Sequence, residues 1–210
     1  MFVPEHCIEQ YGDILLAWCK PIADEDFLLV NVKLNKIEKK KLQEMTANRR
    51  RQEWLTTRWL VQKVLSQDVE ICYNENGKPE INNGGMSISI SHCQEIVAVL
   101  IHTKGKSVGL DCETVAPRIL KIKHKFAEKE LNQILNNETE NLTLVWCAKE
   151  AMFKLYAKGA VDFNEHLQVN DFDFSVEGGT FTGTILKETV KNYILQYKYI
   201  QNSMLVWVSE

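Results

Sequence analysis

The chain has 210 residues, 45% apolar and 25% charged, with ten glycines and four prolines. That is the composition of a globular protein with one large domain or two small ones, and it excludes a disordered or collagen-like chain. The longest aliphatic run, Ile96 to Ile101, is too short to cross a bilayer, and Met1 to His6 lacks the basic and apolar stretches of a secretory signal, so a cytoplasmic protein is expected.

In chain order, Ile14 to Cys19 reads as a buried strand closed by Pro21. A helical pattern runs from about Lys36 to Leu65. Leu42 and Met45 start its apolar stripe, Leu55, Trp59 and Leu65 continue it, and Thr46-Ala-Asn48 divides it in two. Glu70 to Tyr73 and Glu80-Ile81 flank Asn76-Gly77, a strong hairpin turn. Three strand-like runs follow: Met86 to Ser91, Ile96 to His102, and Ser107 to Cys112. Residues 118 to 158 look helical in pieces, the clearest from Leu142 to Lys158 with a stop at Gly159. The C-terminal part reads as strands: Leu167 to Val176, Thr180 to Leu186, Tyr193 to Ile200 and Met204 to Val208. Both halves thus hold strands and helices with no linker between them. The expected class is α+β, two similar halves packed together, rather than a doubly wound parallel sheet.

Six cysteines occur with no CxxC pair, and they scatter across apolar stretches. They read as buried free thiols rather than disulfides or a zinc site. Charge is unevenly spread around the net value of −3. Residues 33 to 63 carry ten Lys and Arg against Glu38, Glu44 and Glu53, a local +7. A basic segment on an acidic remainder points to a polyanionic ligand or an acidic partner, or else to a solvated helix face. No zinc-finger spacing or nucleic-acid recognition motif accompanies the arginines.

Three groups of residues are equipped for chemistry. Asp111-Cys-Glu113 ends a strand, where residues i and i+2 share a face, so its two carboxylates repel unless a cation sits between them. Oxygen donors of that kind suit Mg²⁺, although such pairs also occur at solvated strand ends. Glu150 and Lys154, four apart on the long helix, share a face and read as a surface ion pair or as two groups lining a cleft. Trp146, Ala151, Phe153 and Leu155 make most of that helix apolar, which favours the cleft. Ser87-Ile-Ser-Ile-Ser91-His92 ends another strand. Ser91 and His92 are adjacent and point to opposite faces, so they are not a nucleophile pair; a hydroxyl, an imidazole and backbone N–H groups there suit phosphate binding.

In their order and spacing these motifs resemble the 4′-phosphopantetheinyl transferase superfamily, specifically the longer, surfactin-synthetase-activating type. The resemblance rests on Gly77-Lys78-Pro79, Ser89-Ile-Ser91-His92, Val108-Gly-Leu-Asp111-Cys-Glu113 and Trp146-Cys-Ala-Lys149-Glu150-Ala-Met-Phe-Lys154, preceded by the arginine helix Arg49 to Arg58. It covers roughly residues 45 to 160, and Cys112 stands where the family usually has an aliphatic residue. It implies a pseudo-dimer of two α+β halves, residues 1–105 and 106–210, with the active site in the cleft between them. The reaction it implies moves the phosphopantetheine arm of coenzyme A onto a serine of an apo acyl or peptidyl carrier protein and releases adenosine 3′,5′-bisphosphate. By the same resemblance, Asp111, Glu113 and Glu150 would hold Mg²⁺, or Mn²⁺ in its place. Glu150 or a metal-bound water would take the serine proton, and Lys154 would stabilise charge on the phosphates. Arg51, Arg58, Lys78, Ser91 and His92 would hold the phosphates and nucleotide. The expected state is a monomer with no membrane or nucleic-acid partner. The rival readings are another Mg²⁺-dependent phosphoryl-transfer enzyme and a nucleic-acid-binding module built on the basic helix.

Overall fold

The computed structural model describes residues 3–82, 85–134 and 136–210. Its contacts divide the chain into two units, one up to Gly105 and one from Lys106. Each is α+β, an antiparallel sheet with helices against it.

The first unit opens on strand β1 (His6–Tyr11), which pairs with β2 (Ile14–Cys19) through the tight turn at Gly12-Asp13. Helices α1 (Glu25–Asn31), α2 (Lys36–Glu44) and α3 (Asn48–Leu65) follow, then β3 (Ile71–Tyr73), β4 (Pro79–Ile81), β5 (Ser87–His92) and β6 (Val97–His102). The sheet order is β1-β2-β6-β5-β4-β3. Both α1 and β1 are additional to the sequence reading. Asp24 caps α1 by accepting from the Phe27 N–H at 2.8 Å. Helix α2 starts with a full capping box, in which Asn35 and Glu38 each accept from the other's backbone N–H. The break at 45–47 falls where the sequence places it. Helix α3 lies on β2 and β6, and Leu55, Trp59 and Leu60 meet Ala17, Val99 and Ile101 in the core.

The second unit runs through β7 (Val108–Thr114), short 3₁₀ turns at Pro117–Lys121, Lys123–Lys125 and Leu131–Gln133, and α4 (Glu138–Tyr156). Strands β8 (Leu167–Val169), β9 (Gly179–Leu186), β10 (Val190–Ile200) and β11 (Ser203–Ser209) complete it, in sheet order β7-β11-β10-β9-β8. Several boundaries differ from the sequence reading, most clearly in α4, β8 and β10. Helix α4 begins earlier than Leu142 and ends at Tyr156, where Ala157 turns left-handed (φ 56°) and its N–H bonds the Phe153 carbonyl, so Lys158 lies outside the helix. Strand β8 stops at Val169, and Phe172 and Phe174 then pack against the core from outside the ladder. Strand β10 begins before Tyr193, with the exposed Val190, Lys191 and Asn192, which carry no apolar alternation.

All six cysteines are free, four buried and two, Cys7 and Cys72, exposed on strands. The expectation of buried thiols is therefore corrected at those two positions. Among the described residues no helix is long and apolar enough to cross a membrane.

Candidate functional site

The second unit builds its candidate site where α4 crosses β7. In β11, Met204, Val206 and Val208 belong to the core beneath the helix, and they register with Glu113, Asp111 and Gly109 of β7. Alternation therefore turns Gly109, Asp111 and Glu113 to the helix side. Gly109 has no side chain for a reason of space: a Cβ there would stand 1.8 Å from the Ala151 carbonyl oxygen. Its absence lets the helix backbone touch the strand and brings residues one turn either side of Ala151 onto Asp111.

The result is an electrostatically coupled cluster. Lys154 Nζ lies 2.7 Å from Asp111 Oδ1 and also donates to the Leu110 carbonyl at 2.9 Å. Thus the ion pair of Lys154 runs across to the strand. Burial alone would push its ammonium down, but the charge and hydrogen bond of Asp111, together with Glu150, outweigh that and raise it above the usual lysine value. Glu150 is pushed up to about 7, first by burial and then by the charge of Asp111, with Lys154 opposing and Glu113 adding. Glu113 itself pairs with Arg118 at 2.9 Å. Beneath them the Cys147 thiol is held well above its ordinary value by burial and by Asp111.

Asp111, Glu113 and Glu150 form an all-oxygen donor set, which suits a hard cation. Burial lifts the Glu150 carboxyl first, and the neighbouring carboxylates of Asp111 and Glu113 add to it. As placed, Lys154 and Arg118 supply the counter-charge, and among the described residues no group of three or more His, Cys, Asp or Glu stands in metal-holding geometry.

Lys149, in the same helical motif, does something else. Its ammonium is completely buried, 2.8 Å from Glu130 and donating to the Phe126 and Phe163 carbonyls. Glu130 in turn accepts from the Val169 N–H. This buried ion pair ties the 3₁₀ segment, the loop after α4 and β8 to the helix. The sequence pattern showed the lysine, but its partner, nineteen positions away, has no local signal.

In the first unit, Ser91 is buried and His92 exposed, as alternation along β5 requires. His92 Nδ1 stands 3.3 Å from Glu53 Oε2, and Arg49 Nε donates to Glu53 Oε1 at 2.8 Å. In the sequence Glu53 counts only as one of three acids in the basic segment, although its i, i+4 spacing from Arg49 on a helix signals this pair. Lys78 sits in the β3–β4 turn, where its backbone N–H donates to the Asn74 side chain.

The two arginines expected to hold phosphates, Arg51 and Arg58, turn inward. Arg51 and Arg58 do share a face, but it packs on α1 and α2. Arg51 pairs with Glu25 and donates to the Leu42 and Met45 carbonyls. Arg58 is 3% exposed, lies 2.8 Å from Glu38 and stacks on Trp54 at 3.3 Å from the ring centroid. Burial draws its guanidinium below the usual value, with Tyr73 and Glu38 opposing. Its assignment to a phosphate-holding face is corrected: a side chain this enclosed serves the packing of α2 on α3.

The comparisons with known proteins converge on one family. A model of the 4′-phosphopantetheinyl transferase superfamily matches residues 107–202, and a model of the 4′-phosphopantetheinyl transferase N-terminal domain matches residues 38–102. Curated relatives include the 4′-phosphopantetheinyl transferase AcpT of Salmonella typhimurium, 37% identical over 70 residues, or 33% of this chain and 36% of the relative. AcpT of Escherichia coli K12 matches equally, 37% over 70 residues, 33% of this chain and 35% of the relative. The chain spans about a third of the length of these relatives. The two models follow one another along the chain and between them take in both the His92 strand and the Asp111–Lys154 cluster, so the chain belongs to the 4′-phosphopantetheinyl transferase superfamily.

Proposed function

We propose that the protein transfers the 4′-phosphopantetheine arm of coenzyme A to a serine hydroxyl of an apo carrier protein. In this reading it is a monomeric, cytoplasmic enzyme of the longer, surfactin-synthetase-activating type. The observation that carries it is the seating of α4 on Gly109, which couples Asp111, Glu150 and Lys154 in one cluster.

In the proposed reaction the serine oxygen bonds to the β-phosphorus of coenzyme A. The bond from that phosphorus to the bridging oxygen breaks, and adenosine 3′,5′-bisphosphate leaves with the electron pair. Glu150, or a metal-bound water beside it, takes the serine proton. Lys154, charged and held at the end of α4, faces the phosphate charge that grows in the transition state. A divalent cation, Mg²⁺ or Mn²⁺, on Asp111, Glu113 and Glu150 would neutralise the pyrophosphate and polarise it for in-line attack. His92, Ser91 and Lys78 remain the proposed contacts to the phosphates and nucleotide, joined by the exposed arginines of α3.

Ion pairing argues against the nucleic-acid alternative. Lys33 pairs with Asp68, Arg49 with Glu53, Arg51 with Glu25 and Arg58 with Glu38. Two of these acids, Glu25 and Asp68, lie outside the basic segment, so the local excess is offset in space. The test is incubation with coenzyme A, Mg²⁺ and a panel of apo-carriers, reading carrier mass and released adenosine 3′,5′-bisphosphate. Carrier mass should rise by one phosphopantetheine arm. Turnover of coenzyme A that needs no carrier would instead identify a different phosphoryl-transfer enzyme.

A further inference from the structure

We infer that Glu53 is a positioning residue, holding Arg49 and His92 together as a clasp for a phosphomonoester. On the function proposed above, on which this inference rests, that group is the 3′-phosphate of coenzyme A.

The argument starts from burial. Glu53 sits on α3 with its side chain 8% exposed, while Arg49 and His92, its two partners, are 61% and 50% exposed. A buried carboxylate is costly unless both its oxygens are paired. Here each oxygen faces a different partner, Oε1 the Arg49 Nε at 2.8 Å and Oε2 the His92 Nδ1 at 3.3 Å. The carboxylate therefore joins the first turn of α3 to the end of β5 through side chains that would otherwise be free to swing. Thr57, one turn on, donates its hydroxyl to the Glu53 carbonyl.

The atoms left over matter most. Glu53 uses the Nε of Arg49, so both Nη groups, the fork that suits a phosphate, remain for a ligand. It faces Nδ1 of His92, so Nε2 remains on an exposed ring, a donor to phosphate in the imidazolium form. The other ion pairs of the basic helices lack this form. In Arg58–Glu38 both partners are buried, and in Lys33–Asp68 both are exposed. One enclosed acceptor behind two exposed donors is the arrangement that preorganises donors for an anion and lowers the entropy cost of binding it.

The same geometry admits an opposite reading, in which Glu53 merely cancels positive charge and repels the phosphate. The experiment separates them. Steady-state KM and kcat are measured with coenzyme A and with dephospho-coenzyme A, which lacks the 3′-phosphate, for the wild type, Glu53→Gln, Glu53→Ala, Arg49→Ala, His92→Ala and the Glu53→Ala/His92→Ala pair. Glu53→Ala should raise KM for coenzyme A by about tenfold, the loss of one charged hydrogen-bond network. Its kcat at saturation should stay within about twofold. KM for dephospho-coenzyme A should not move. Glu53→Gln, which keeps one acceptor, should fall between wild type and Glu53→Ala, and the pair should lose less than the product of its single losses. Tighter binding by Glu53→Gln, an unchanged KM, or equal losses with both ligands would overturn the inference. Should Glu53→Ala not fold, Arg49→Ala at its exposed site decides alone: without a KM rise specific to the 3′-phosphate, the clasp does not exist. A wild type that transfers to carriers, with variants indistinguishable from it, removes the role of Glu53 and leaves the function standing. A wild type that neither binds coenzyme A in a titration nor modifies any carrier removes both.

Discussion

Arg58 and Lys154 are both cations on long helices, yet their neighbours assign them different work. Arg58 faces α2, where Glu38 already closes the capping box with one carboxylate oxygen and meets the guanidinium with the other. Arg58→Ala strands that carboxylate in the interior, so it should destabilise the protein by about 3–5 kcal/mol, while the folded fraction keeps the wild-type KM for coenzyme A. Denaturant melts paired with kinetics test both halves of the statement. Lys154 is charged, partly open and aimed at Asp111. Lys154→Ala should lower turnover at saturating coenzyme A and carrier, by roughly 10²-fold if it meets transition-state charge. Lys158→Ala should not, because Lys158 lies past the end of α4 in an exposed 3.6 Å pair with Glu188. Equal turnover of the two variants would make Lys154 a structural tie to β7. Glu150 adds a pH argument for the metal-free protein. Its carboxyl is raised from 4.5 to about 7, so the folded state holds that proton more tightly than the unfolded chain. The stability this contributes is complete below pH 4.5 and lost as pH rises through about 7. Glu150→Gln should therefore melt higher than wild type at pH 8, by on the order of 2 kcal/mol or several degrees, and equally at pH 4. In turnover it should be severely impaired, roughly 10²–10⁴-fold for loss of a general base. A variant no more stable at pH 8 than at pH 4, relative to wild type, would show that Glu150 is not strained.

The meeting of α4 and β7 depends on one glycine. With Ala at 109 the new methyl carbon would overlap the Ala151 carbonyl, and a backbone atom cannot rotate away as a side-chain tip can. Gly109→Ala should push the helix off the strand, costing at least the 1–3 kcal/mol typical of overpacking. It should also lower turnover in whatever protein folds, because Lys154 and Glu150 move with the helix. Ser107→Ala, on the same segment but away from this contact, should do neither. How much of this was legible beforehand follows from the range of the signals involved. The long helices, the Asn76-Gly77 hairpin and the Asp111/Glu113 face came from periodicity and turn chemistry, which act within a few residues. Helix α1 escaped notice because it is one turn and three residues long, with Leu29 and Val30 on its outside, so it shows no apolar stripe. Strand β1 escaped because it is an edge strand with mostly exposed residues. The inward turn of Arg58 and the burial of Lys149 needed partners twenty and nineteen positions away, Glu38 and Glu130, which no local pattern announces.

Across the whole molecule the charges balance more closely than the basic segment alone implies. Residues 1–105 carry thirteen Lys and Arg against fourteen Asp and Glu, so the +7 of residues 33 to 63 is offset within its own unit. The second unit holds twelve against fourteen. What stands out is local: the three carboxylates of Asp111, Glu113 and Glu150 gather beside Lys154 and Arg118, and the charges of Asp111 and Glu113 add to burial in lifting the Glu150 carboxyl. A pyrophosphate entering this site brings more negative charge, and no rearrangement of two cations can offset it. The proposed reaction therefore requires added positive charge, and a hard divalent cation on the carboxylates is the form their oxygens accept. Transfer to an apo-carrier should fall at least about 10²-fold in excess chelator, the scale of losing one main electrostatic stabiliser, and recover with Mg²⁺ or Mn²⁺. Mg²⁺ should also raise the melting temperature of the wild type without coenzyme A present, because it binds the folded state selectively. In Asp111→Ala that rise should vanish while the protein stays folded. Undiminished transfer in chelator, or a Mg²⁺ stabilisation that survives Asp111→Ala, would show that Lys154 and Arg118 suffice and that the carboxylates hold no metal.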